Sequence, residues 1–197
     1  VAVINYEVLG GRVELDAAQG DVTISGDVTA DSVTVTNAGA SSSLSGAVDV
    51  DGALTKQGVG TLTAGQVKGD NASTVVQTGT LKIGADTNEG AIAGESIMID
   101  AGATLELHRD SQAADTAYEV TARIAGGGVF HKHGDAPITL SGEITHTGAM
   151  VIDGDGALTI LQDSGRITTS EFRGTGELTI QSRADSFESP FILENKY

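Results

Sequence analysis

Cysteine and tryptophan are absent from this chain, and proline occurs twice in 197 residues. Without a thiol there is no disulfide framework, no thiolate metal site and no thiol catalysis. A cysteine-free chain also suits transit through an oxidising compartment, where stray thiols would cross-link. Positive charge is scarce: 11 Lys and Arg stand against 27 Asp and Glu, for a formal net charge of −16. That balance opposes binding to nucleic acid or to anionic lipid, since both rely on Lys and Arg contacts with phosphate. It favours solubility and, where carboxylates converge, divalent cations. Aromatic residues make up 4% of the chain, which leaves little surface for stacking on sugar rings. No apolar run approaches the length of a membrane span, so no membrane insertion is expected. No basic-then-apolar segment opens the chain at Val1, so an export signal would have been removed or lie outside this sequence.

What the chain has instead is glycine, 27 residues of it, and short alternations of Val, Ile, Leu and Thr with polar residues. Helical periodicity is nearly missing, and 39% hydrophobic residues in regular alternation argue against disorder. The centre of the pattern is residues 54–84. Thr61-Leu62-Thr63, Thr74-Val75-Val76 and Thr80-Leu81-Lys82-Ile83 each read as a strand between Gly or Asn turns. The texture recurs at residues 128–160, where Leu62 maps onto Leu140 (140 − 62 = 78) and Leu81 onto Leu158 (158 − 81 = 77). Two anchors agreeing within one position over that distance indicate a repeat.

The series Leu-Thr-Lys-x-Gly-x-Gly-Thr-Leu-Thr, a Gly/Asn-rich turn, then Thr-Val-x-x-Gly-Thr-Leu-x-Ile-Gly resembles the passenger-associated repeat of bacterial autotransporters. Residues 54–84 carry it closely. Residues 128–160 carry it loosely, with Phe130, His131 and His133 in place of the usual Leu and Thr-like residues. The resemblance implies a right-handed parallel β-helix exposed outside a Gram-negative cell, extracellular or on its surface. That motif has no catalytic residues to carry over. Autotransporters continue into a C-terminal outer-membrane barrel, which this sequence does not contain, so it reads as part of a longer passenger or as a free secreted subunit.

The leucines at 62, 81, 105, 140, 158 and 178 are separated by 19, 24, 35, 18 and 20 residues. A β-helix rung of three short strands and three bends needs roughly 20 residues. The prediction is one all-β domain over 1–197: a single-stranded right-handed parallel β-helix of about nine or ten rungs, roughly 45 Å long. Residues 12–181 hold the repeats, and these six leucines are expected in stacked core ladders. Residues 108–119 interrupt the rhythm and read as a protruding loop or short helical insertion. Residues 1–11 and 182–197 match no repeat and read as terminal caps.

Asp49-Val-Asp51-Gly52 and Asp153-Gly-Asp155-Gly156 set paired carboxylates on one side of an extended segment, a candidate calcium arrangement. The competing reading is that Asp and Gly tolerate turn geometry. His131-x-His133 sends two imidazoles to one face of a strand, with His146 one rung away. With no third ligand in view it reads as a surface pair rather than a zinc site. Ser41-Ser42-Ser43 has no nucleophile elbow around it.

The functional expectation is a non-enzymatic structural subunit that self-assembles head to tail into a homo-polymer. Apolar residues of the termini (Val1, Val3, Ile4, Tyr6 and Val8; Phe187, Phe191, Ile192, Leu193 and Tyr197) would add a strand to, or cap, the open end of a neighbour. The alternative within the sequence is that both termini fold back as caps of their own coil. A second function is an adhesin that binds surface glycans through its outward Thr, Ser, Asp and Asn. A polysaccharide-degrading β-helix is a third, weakened by the missing Trp and the few Arg and Lys.

Overall fold

The computed structural model describes residues 2–4, 11–17, 21–39, 41–84, 89–110, 117–162, 166–167, 169–182 and 192–193. These residues form strands and turns, stacked as a parallel β-solenoid of about eight turns. Every strand pair among them is parallel, and one isolated bridge, Glu89–Arg109, is antiparallel. Parallel pairing with short corners is what this sequence can build. Along the strands, inward and outward residues alternate so that one side is buried, and Gly, Asp and Asn make the bends between them.

Each turn of the coil has three sides. The first face stacks Ala2–Ile4, Val22–Ile24, the start of Ser41–Gln57, the start of Thr61–Lys68, then Thr80–Ile83, Thr104–His108, Val129–His133, Ala149–Ile152 and Glu171–Gly174. The second face runs through Tyr118–Val120, Ile138–Leu140, Leu158–Gln162 and Leu178–Ser182, preceded by pairings that end at Ala91–Ile92. The third stacks Arg12–Ala17, the end of Val28–Asn37, the end of Ser41–Gln57, then Ser73–Val76, Ser96–Ile99, Arg123–Gly126 and Ile144–His146.

Inside, identical registers stack apolar side chains turn upon turn. The first face aligns Leu62, Leu81, Leu105, Phe130 and Met150, all buried. The third aligns Val33, Leu54, Thr74, Ile97, Ile124 and Ile144. Each fully buried aliphatic or aromatic side chain contributes about 1.5–3 kcal/mol of transfer free energy. No single turn can bury its inner side alone, so the stack is what makes the core.

Three expectations change. The coil has about eight turns rather than nine or ten, because the middle turns are long. Leu81 to Leu105 spans 24 residues and Leu105 to Phe130 spans 25 (105 − 81; 130 − 105), against 19 from Leu62 to Leu81. The six leucines do not share one ladder. Leu62, Leu81 and Leu105 line the first face, whereas Leu158 and Leu178 align with Ile138 on the second, and Leu140 aligns with Ile160 two positions on. The 78-residue offset therefore relates strands on different faces. The 108–119 stretch is also not wholly an insertion: His108 closes a first-face strand and Tyr118 opens a second-face strand. The Tyr118 hydroxyl takes the Ile92 amide proton (2.8 Å) and donates to the Ile92 carbonyl (3.0 Å), standing in for the ladder bonds interrupted there.

At the ends, Ala2–Ile4 pairs with Val22–Ile24, and Ile192–Leu193 with Arg166–Ile167, each in parallel and within the chain. Val3, Ile4, Ile192 and Leu193 thus belong to strands of the coil itself. Val1, Tyr6, Val8, Phe187, Phe191 and Tyr197 lie outside the described residues.

Candidate functional site

The outward side of the first face carries a close group of ionisable side chains. Parallel register places Lys82 beside Glu106, Glu106 beside His131, and His108 beside His133. Glu106 and His108 are two apart on one strand, as are His131 and His133 on the next, so all four project to the same side. Strand spacing of roughly 4.8 Å then brings their functional atoms together.

Glu106 is the hub. Its Oε2 lies 3.3 Å from Lys82 Nζ and 3.6 Å from His131 Nδ1, and its Oε1 lies 3.4 Å from His133 Nδ1. His131 reaches Asp153 Oδ2 with its other nitrogen at 3.0 Å. His108 Nε2 lies 3.4 Å from Asp110 Oδ2. The His108 and His133 rings stack with centroids 4.5 Å apart and planes 15° from parallel. His131 contributes a second near-parallel ring, 5.5 Å from His133. The hydrogen bond from His131 is the chief cause of a Glu106 pKa lowered to about 2, with Lys82 and His133 adding to it against the opposing effect of burial. The same bond raises the His131 pKa.

His131 and His133 do share an outward face, but His146 does not join them. It lies on the third face, buried, aligned with Gly126, and burial lowers its pKa. The partners that complete the cluster are Glu106 and His108, a turn earlier. Period-2 alternation in Leu105-Glu106-Leu107-His108 marks both as outward, but the 25-residue step to Val129–His133 is longer than the turn of roughly 20 residues that the repeat suggests, and alternation alone does not give it.

Of the four paired aspartates, Asp153 touches this network through His131, and the other three lie elsewhere. Asp49 and Asp51 are exposed along Ser41–Gln57, with Asp49 in register with Thr29 and Lys68. Among the described residues, the group whose ligand atoms all lie within 4.8 Å of one another is Glu106, His108 and His133, and none of the four aspartates belongs to it. Asp155 instead helps staple the corners. Its amide N–H donates to Asp135 Oδ1 (3.1 Å), and the Asp135 amide donates to Asp110 Oδ1 (3.3 Å) one turn below. Corner aspartates elsewhere do the same, as Asp21 accepts from the Ser41 amide (2.9 Å) and Asp27 from the Ala47 amide (2.7 Å). Several of the chain's aspartates thus satisfy amides at the bends.

Two lysines point the other way. Lys56, between Val35 and Val76, is fully buried and donates to the carbonyls of Gln57 (2.9 Å), Gly58 (2.6 Å) and Thr78 (3.1 Å). Lys132, between Leu107 and Ile152, donates to the carbonyls of Gly134 and Gly156. Burial lowers both pKa values, that of Lys56 to about 8.

No protein-family model, curated protein or solved structure matches this chain.

Proposed function

We propose that the chain is a non-enzymatic structural subunit that works outside the cell and assembles end to end into a filament or surface matrix. The observation that carries this reading is the first-face ladder. It runs parallel from Ala2–Ile4 to Glu171–Gly174, and each of these strands pairs on one side only among the described strands. Unpaired amides and carbonyls on a strand edge are templates for another strand. Because every turn advances in the same sense, one copy's first edge matches another copy's last edge by translation along the axis. Such a heterologous contact does not close on itself and grows into an open polymer. Location outside a Gram-negative cell rests on the autotransporter-like residues 54–84 and on the cysteine-free, acidic composition.

Sedimentation velocity of the 197-residue chain over a concentration series tests this. Species should grow with concentration, and Val3→Pro, which removes an amide donor from the edge strand, should return the chain to monomer while its β-rich circular dichroism persists. Growth unaffected by Val3→Pro would place the contact elsewhere and end this reading.

A further inference from the structure

We propose that Glu106, His108 and His133 form a binding site for a borderline divalent transition ion of the zinc or copper kind, clamping two successive turns of the coil. The three residues offer two imidazole nitrogens and a carboxylate oxygen, mutually within 4.8 Å. Ligands about 2.0–2.2 Å from a tetrahedral zinc stand roughly 3.3–3.6 Å apart. The 3.4 Å between Glu106 Oε1 and His133 Nδ1 already has that length. Tilting the stacked His108 and His133 rings closes the rest, and these side chains are partly exposed, at 17% and 45%, so an ion can enter.

The surroundings match what a metal site requires of its outer partners. A ligating histidine usually gives its second ring nitrogen to a carboxylate, which fixes the ring. Asp110 stands at His108 Nε2 in that position, leaving Nδ1 for the ion. His131 is engaged on both nitrogens, by Glu106 and Asp153, so it orients the Glu106 carboxylate rather than ligating. Two imidazoles and one carboxylate, without sulfur, select zinc, copper or nickel over calcium, which takes six to eight oxygens. Three protein ligands leave one coordination position for water or for a donor from another molecule. Lys82 approaches Glu106 from the preceding turn and competes with the ion for the same carboxylate.

The test is calorimetric titration of the metal-free full chain with zinc chloride, in the presence of millimolar calcium. One zinc per chain should bind with a dissociation constant in the micromolar range, and the thermal midpoint should rise. His108→Ala and His133→Ala should each weaken binding at least ten-fold, while Asp49→Asn/Asp51→Asn leaves it unchanged. Independently of any variant, electron paramagnetic resonance of the copper-loaded chain should show coupling to two imidazole nitrogens. Absence of saturable binding, displacement by calcium, retention in both histidine variants, or a copper spectrum without two nitrogens would each overturn the proposal.

Discussion

A lysine facing inward is the least expected residue in a ladder of Val, Leu and Ile. Lys56 and Lys132 occupy core registers, yet each is the next-to-last residue of its strand, where its ammonium reaches the carbonyls of the following corner. The Gly-rich bends leave carbonyls turned inward, and a long cationic side chain satisfies several at once. The consequence is a pH dependence. Lys56 has a folded pKa of about 8 against 10.5 when solvated. The folded state therefore penalises its charged form below pH 8, and stability should rise as pH climbs from 8 to 10.5, where the unfolded chain binds more protons. The full difference is on the order of 3 kcal/mol. Urea midpoints of the parent and of Lys56→Met at pH 7.5 and 10.5 measure it: the parent should gain relative to the variant, and equal pH slopes would remove the argument. Alternation from Leu54 through Thr55 puts Lys56 on the inward side, but nothing in the sequence shows the corner carbonyls that receive its ammonium.

At the scale of strands and turns, the alternation of Val, Leu and Ile with Thr was enough to give all-β elements, their inward residues and a turn of about 20 residues. It was not enough to say which face a strand occupies. All three sides of a turn use the same alternation, so Leu62 and Leu140 look equivalent although one lies on the first face and the other on the second. Phe130 holds the Leu62 ladder position in its turn, fully buried between Leu105 and Met150. Phe130→Ala should cost about 3–5 kcal/mol by removing that stack's largest member. A loss below about 1 kcal/mol in denaturant unfolding would mean the ladder does not carry the core at this level. Corners are as tightly specified as strands. A Cβ on Gly148 would overlap the Gly128 carbonyl oxygen of the turn below, so Gly148→Ala should destabilise by about 1–3 kcal/mol. A neutral result would show that these two bends do not stack closely. The histidine cluster belongs to this scale too. Its four outward residues were readable strand by strand, but their meeting depends on a 25-residue turn whose length the sequence does not announce.

For the whole molecule, a coil that advances in one direction has no natural stop except what covers its ends. The corner aspartates bond amides between turns along the axis, and the inward registers stack turn upon turn. Both features propagate equally well across a boundary between copies, provided the edges meet in register. Eight turns at about 4.8 Å give a subunit rise of roughly 40 Å, which fixes the period of any filament built by continuing the ladder. Negative-stain microscopy of the purified chain across a concentration series examines this most directly. End-to-end assembly predicts unbranched filaments one coil wide, with an axial repeat of roughly 40 Å. Compact single particles at every concentration, or filaments with an unrelated repeat, would contradict it.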